Sequence, residues 1–328
     1  MSPSLGVQGT SYLKPHEKLI TVSFRSLHSF RDFQGSKKLP VPSPPEIYAN
    51  THVYTFDIAA TYAATKRLSF TLELPIQHGS RETYYEHDGA TLHTMRANGV
   101  GDLKVTGNLW LLDPSCHQNG NISLGLGLKA PTGNSGARDY SYRTPGRVLR
   151  PVDPAIQLGD GGWGIIFTGH AFKKFSKKTS TYFQGSYLSN PREMNGTQSP
   201  FADVPELTGG DIGYIIDSVP DQYLARAGVS HTVWAKKGLA VSLGGRIEGV
   251  PSHDLIGGSD GYRLPGYAIS IEPGFSISRH KNLFELTVPV AVRRHASKSV
   301  ADVRTNNPVG GIAALADYTI TLSYSRRF

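Results

Sequence analysis

Along much of the chain apolar and polar residues alternate with a period of two, the signature of strands with one greasy face. In "GNISLGLGLKAPTGN" (120–134), Ile122, Leu124, Leu126 and Leu128 fall on one face and Ser123, Gly125, Gly127 and Lys129 on the other. The same pattern, bounded by turn residues, predicts strands over 17–30, 48–65, 68–77, 101–112, 121–130, 161–171, 180–189, 221–234, 238–248, 266–278, 283–292 and 316–326. No segment of eleven or more residues carries a helical stripe. Between the twelve strands, short and long connections alternate strictly. The short ones lie near Lys66 and at 113–120, 173–178, 235–238 and 278–282; the six long ones span 31–47, 78–100, 131–160, 190–220, 249–265 and 293–315. An up-and-down meander then puts every short turn at one end, with both termini, and every long loop at the other. Transmembrane barrels have that organisation, whereas six long structureless loops count against a compact soluble fold. The expected fold is all-β: a transmembrane antiparallel up-and-down β-barrel of about 12 strands, residues 17–328, behind an N-terminal extension, residues 1–16.

In a barrel the apolar face covers the lipid band. Ten residues at about 3.3 Å, tilted near 45°, span roughly 23 Å, close to the height of such bands. The opposite face is not dense in Lys and Glu, as a solvated sheet face would be. It mixes Gly, Ser, Thr and Ala with sparse charges of both signs: Arg25, Asp57, Glu73, Asp102, Lys104, Lys129, Arg226, Arg246, Glu248, Glu272 and Glu285. These eleven are the candidate lumen-lining residues, and such charges must pair where water is scarce. Pro75, Pro273 and Pro289 fall inside or at the ends of strands, where a missing N–H predicts bulges or kinks. The final strand places Tyr318, Ile320, Leu322, Tyr324 and Phe328 on one parity and ends on Phe328. Tyr324 and Phe328 resemble the assembly signal of outer-membrane barrels, which implies the barrel-assembly machinery and outer-membrane lipids as partners; Arg326 departs from the pattern.

Composition agrees. Of 328 residues 36 are glycine, only 18% are charged, and the net charge is +8. One cysteine, Cys116, rules out an internal disulfide framework. No apolar run approaches the ~18 residues of a membrane-spanning helix, a test to which barrels are blind. The N-terminus, "MSPSLGVQGTSYLKPHEK", lacks a basic start followed by an apolar core, so either the protein is cytoplasmic or its leader has been removed, and an outer-membrane destination requires the second.

Three blocks carry a family resemblance: Gly99, Gly101, Asp102 and Leu103; Leu128, Lys129, Pro131, Thr132 and Gly133; and Gln157, Gly159 and Gly161 in "QLGDGGWG". They resemble the outer-membrane transporter family named after the meta-pathway of phenol degradation, distantly similar to the long-chain fatty-acid transporters. The resemblance is sharpest over 99–170. It implies a barrel that passes small hydrophobic or aromatic organic solutes. The fatty-acid transporters have fourteen strands and an N-terminal plug; this chain shows twelve, and its leader segment of sixteen residues is too short for such a plug.

The chemistry-bearing residues form no catalytic pattern. There is no H-E-x-x-H, G-x-S-x-G, Walker or dinucleotide motif. His78, His87 and His93 fall in one expected loop with Glu82, Glu86 and Asp88, and read as solvated loop polarity. An outer-membrane phospholipase needs a lipid-facing His–Ser pair; His231 faces outward without an assignable serine. No enzyme activity, metal or cofactor is expected, and the basic charge forms no nucleic-acid stripe. It concentrates instead in short turns, as in Lys173, Lys174, Lys177, Lys178, Lys236 and Lys237, where it solubilises the turns or touches anionic headgroups. Trp110, Trp163, Trp234 and Tyr324 suit interfacial girdles. Three functions fit: a channel for small organic solutes, a scaffold acting through its long loops, and a soluble ligand-binding or self-assembling β protein.

Overall fold

The computed structural model describes residues 12–41, 43–143, 146–203, 209–308 and 310–328. Twelve antiparallel staves close into one barrel. They are β1 (Lys18–Ser29), β2 (Ala49–Ala63), β3 (Leu68–Thr83), β4 (His93–Val100 and Leu103–Trp110), β5 (Gly120–Ala130), β6 (Gly164–Lys174), β7 (Thr179–Ser189), β8 (Gln222–Trp234), β9 (Leu239–Val250), β10 (Gly266–Arg279), β11 (Asn282–Thr287 and Val290–Ala296) and β12 (Thr319–Arg327). Each pairs with its sequence neighbours, and β12 closes on β1 from Leu19↔Arg327 to Leu27↔Thr319. Closure leaves no edge, as a sheet in lipid requires.

The faces sort as the alternation predicts. On β5, Ile122, Leu124, Leu126 and Leu128 are 48–61% exposed, while Ser123 and Lys129 are buried inside. Phe56, Phe70, Leu72, Leu243, Ile271 and Leu322 extend the exposed apolar belt around the barrel. In a soluble protein so large an apolar surface would aggregate; here it is the lipid-facing band. Among the described residues no helix is long and apolar enough to cross a membrane; strands do the crossing.

Two staves are interrupted, both beside prolines. Between Glu73↔Lys104 and Ile76↔Val100, two residues of β3 oppose three of β4, so a residue bulges out opposite Pro75. Pro75 itself stays in register with Asp57 on β2. A residue with no N–H leaves its partner strand without a ladder bond, and the partner breaks instead. Pro289 splits β11 directly; on the facing strand Pro273 lies opposite its neighbour Val288, whose N–H bonds the Pro273 carbonyl (3.1 Å). A second bulge follows, at Val292, between the pairs Ile269↔Arg293 and Ser270↔Ala291.

The long connections differ from the simple loops expected. The segment 78–100 is largely sheet: β3 runs on to Thr83 and pairs with His93–Val100, so the true loop is short. His78 and His93 therefore sit on paired strands, and only His87 lies in the loop. Within 131–160 a hairpin forms, Arg138–Arg143 with Gly146–Pro151. Asp32–Gln34, Lys37–Lys38 and Ile312–Ala314 make a small sheet, and Met194–Gln198 pairs with Ile216–Ser218. Two short helices, α1 (Ile212–Ile215) and α2 (Val300–Arg304), join these loops; Arg304 of α2 bonds Asp211 at the start of α1 (Nε–Oδ2 2.9 Å) and Asp260 of the next loop (2.6 Å).

Candidate lumen and its latched loop

The loop half of the barrel encloses a cavity of about 1170 Å³. Its wall carries apolar groups from the staves, such as Leu27, Val53, Leu188 and Val250, and aromatic groups from the loops, such as Tyr85 and Tyr262. Phe201 stacks parallel on Tyr85 at 5.6 Å and meets Tyr262 edge-on at 5.4 Å, so the aromatic part of the ceiling is a packed unit. Behind it Arg81, fully buried, donates to Glu86 (2.7 Å), Thr51 (2.8 Å) and Tyr85 (2.5 Å) and faces Asp153 at 3.6 Å. Burial pushes the Tyr85 hydroxyl well above its ordinary pKa, so it stays protonated.

The loop 131–160 folds into this half of the lumen. Ile156 and Val152, both fully buried, pack with Val53, Met95, Ala97 and Ala137, and Leu27 and Leu158 flank them. At Gly79 an added Cβ would stand 2.7 Å from Ile156, so the wall is hollowed to admit the loop. The amide of Gln157 stitches the loop to itself and to the wall: its Oε1 accepts from the Ala137 N–H (3.0 Å), its Nε2 donates to the Val152 carbonyl (2.9 Å), and Gln77 of β3 donates to its backbone carbonyl (3.1 Å).

The three sequence blocks meet where the loop returns to the wall. Asp102, in the bulge of β4, accepts the N–H of Gly133 (2.9 Å) and of Asp160 (3.2 Å). Thr132 donates to the carbonyl of Gly101 (3.0 Å) and accepts from the N–H of Leu103 (2.9 Å). Lys129, 2% exposed, donates to Asp160 and lies 3.6 Å from Asp102. Gly133 and Gly159 press backbone to backbone: a Cβ on Gly159 would come within 2.9 Å of the Gly133 Cα and 2.5 Å of the Asp102 carboxylate. Close backbone contact, not chemistry, is what glycine allows here. The blocks form a latch that holds the loop inside.

At the inner end of the cavity, where Arg25, Asp102, Lys129 and Glu248 line its wall, paired charges cross the barrel. Arg226 and Arg246 oppose one another directly across β8 and β9. Two neighbouring cations would repel, but Glu272 of β10 reaches both, at 2.8 and 3.4 Å, and Glu248 takes Arg246 at 2.6 Å. Lys104 and Lys129 likewise face each other across β4 and β5; Glu73 takes the first at 3.0 Å, and the latch takes the second. Arg25 and Lys104 lie within electrostatic range of Asp57, and Glu285 within range of Arg226. Of the eleven charged residues singled out from the alternation, Arg25, Asp102, Lys129 and Glu248 line the cavity, and ion pairs join Glu73 to Lys104 and Glu272 to Arg226 and Arg246.

The chain superposes on the crystal structure of an outer-membrane channel from Pseudomonas putida F1 with a TM-score of 0.63, at 15% identity, over 98% of this chain and 100% of that one. The two share one fold. The toluene transporter TodX of P. putida aligns over 97% of this chain and 91% of its own at 10% identity, with a TM-score of only 0.45. No protein-family model and no curated protein matches the chain. In that fold the short turns face the periplasm and the long loops the exterior.

Sequence reasoning missed the partners that complete the site. Asp160 stands inside the quoted block "QLGDGGWG", and its pairing with Lys129 follows only once the loop turns inward. Arg81 and Asp153 fall in segments read as loop, where period-two reasoning assigns no face. Among the described residues no group of three or more His, Cys, Asp or Glu is placed to hold a metal ion. His231 meets Thr179 (2.9 Å), not a serine. At the chain end, Tyr324 donates to Asn282 (2.8 Å), Phe328 is 57% exposed, and its N–H bonds Lys18, so the terminal residues complete the seam with β1.

Proposed function

We propose that this protein is an outer-membrane channel for small hydrophobic or aromatic organic solutes. The observation that carries the reading is the lumen itself: a cavity of about 1170 Å³ with an apolar and aromatic wall, in which the charged groups are largely consumed by one another. A cavity of that size holds a drug-sized or smaller molecule, and such sites are apolar with few polar groups. Charges already paired across the lumen offer an ionic solute no net partner, while the cavity wall also carries the Tyr267 side chain. The resemblance of the latch segments to the phenol-degradation transporter family, and the fold shared with an outer-membrane channel, point the same way. The loops are knitted together by the Arg304 and Arg81 clusters, so the inward-folded segment 131–160 regulates the width of the passage.

The test is solute flux across an asymmetric bilayer with lipopolysaccharide in its outer leaflet, which slows unaided entry of hydrophobic compounds. Protein-containing membranes pass a phenol-sized solute faster than protein-free ones, and Ala155→Trp, which fills the cavity from the loop, returns the rate toward baseline. Equal rates with and without protein would sink the reading.

A further inference from the structure

The charge of this protein is distributed against its sign. The short-turn end, comprising the two chain ends at 12–18 and 326–328 and the turns 64–67, 111–119, 173–178, 235–238 and 279–281, holds 14 Lys and Arg against 2 Asp and Glu. The rest of the chain carries 20 against 24, so the whole positive excess sits on one rim. Lumen cations are neutralised at close range; among the described residues none of these fourteen makes an ion pair. A membrane protein that keeps so many like charges together repels itself unless something negative lies beside them.

We infer that this rim is a docking collar for the headgroups of anionic phospholipids in the adjoining leaflet. The depth of the charges supports lipid as the occupant. They stand immediately below the apolar belt, next to exposed aromatic residues: Phe175 is 70% exposed between Lys174 and Lys177, and Trp234, 49% exposed, lies under the Lys237 ammonium at 4.3 Å. Arg326 covers the ring of Phe328, 57% exposed, at 5.5 Å. Aromatic rings settle at the headgroup level, and lysine stems lie along apolar surface with the charge held out. This places the ammonium groups at phosphate depth. The arrangement also runs around the rim through four of the five turns, which suits a surrounding lipid annulus; a protein partner would need one side only. The turn 173–178 is the densest point, with Lys173, Lys174, Lys177 and Lys178 all exposed. The collar requires the barrel and its apolar belt; it requires no solute.

Native mass spectrometry of the detergent-solubilised protein, titrated with phosphatidylglycerol or with phosphatidylcholine of the same acyl chains, tests the collar. Wild type retains phosphatidylglycerol at least tenfold better than phosphatidylcholine, and the gap narrows as salt rises. The variant K173Q/K174Q/K177Q/K178Q loses roughly fivefold of that preference for each charge that reaches a headgroup. Folding is checked by the gel mobility shift of an intact barrel on heating; if that variant fails it, K236Q/K237Q takes its place. Equal retention of the two lipids by wild type, or an undiminished preference in a folded variant, overturns the inference.

Discussion

Lys129 shows why a single buried cation can govern a loop. With 2% of its surface exposed it is held between Asp102 of the wall and Asp160 of the inward loop. Removing one partner of a buried pair leaves uncompensated charge and costs about 3–5 kcal/mol. In Lys129→Met the two carboxylates face each other alone. The expected result is faster amide exchange over 152–162 and a lower temperature for the heat-induced gel shift. Adding Asp102→Asn and Asp160→Asn recovers most of the melting temperature, because the cost lies in the orphaned charge. Unchanged exchange in Lys129→Met would show that the loop is held by its apolar contacts alone.

A second residue carries a pH dependence. Asp217, on the loop strand Ile216–Ser218, is 1% exposed, and neither of its carboxyl oxygens has a hydrogen-bond partner. Burial, with Asp153 adding to it, pushes its pKa up to about 9. The folded pKa lies above the unfolded value, so below about pH 4 both states are protonated and the group is neutral in its effect. From there to about pH 9 the unfolded state releases a proton that the folded state retains, and stability of this loop falls as pH rises. Amide protection factors over 194–203 and 209–218, which remove the intrinsic pH dependence of exchange, should therefore be higher at pH 5 than at pH 8, with the contrast reduced in Asp217→Asn, which should also be better protected at pH 8 than wild type. An identical contrast in the variant would assign the effect to other groups.

At the scale of elements, the staves were legible and the loops were not, for one physical reason. A stave in lipid needs an apolar residue at every second position and nothing specific to pack against, so its pattern is complete in its own sequence. The alternation therefore locates twelve staves and places Arg25, Glu73 and Glu272 on the inner face. The pairing of Arg226 with Glu272 skips a stave, and that of Lys129 with Asp160 depends on a loop folding back; neither partner is adjacent in any local pattern. The hairpin of Arg138–Arg143 with Gly146–Pro151 is held by hydrogen bonds to Glu86 and His87 of the neighbouring loop and to Arg96 of β4, not by lipid, and so lacks the period that marks a stave. Prolines were legible as disturbances, but Pro75 disturbs the strand opposite rather than its own. The lipid face makes its own prediction. Leu126, 61% exposed near the middle of β5, stands at mid-membrane depth. Leu126→Arg should cost about 2–4 kcal/mol in equilibrium folding into vesicles. A cost below about 0.5 kcal/mol would mean that β5 faces water.

Across the whole molecule, three zones stack along one axis. Knitted loops and a latched segment form the outer ceiling; beneath them lies the cavity, with paired charges at its inner end; and the far rim gathers the positive excess. The ceiling has the buried ion pairs and hydrogen bonds of a folded unit, and the latch joins it to the wall through one lysine and two carboxylates. On the proposed function, the width of the passage depends on the loop 131–160, which the latch ties to β4 and β5. Flux of a phenol-sized solute into lipopolysaccharide-containing vesicles that carry the purified protein tests this most directly. The account predicts faster entry with wild type than without protein and faster entry still with Lys129→Met; entry at the protein-free rate with both proteins inserted would contradict it.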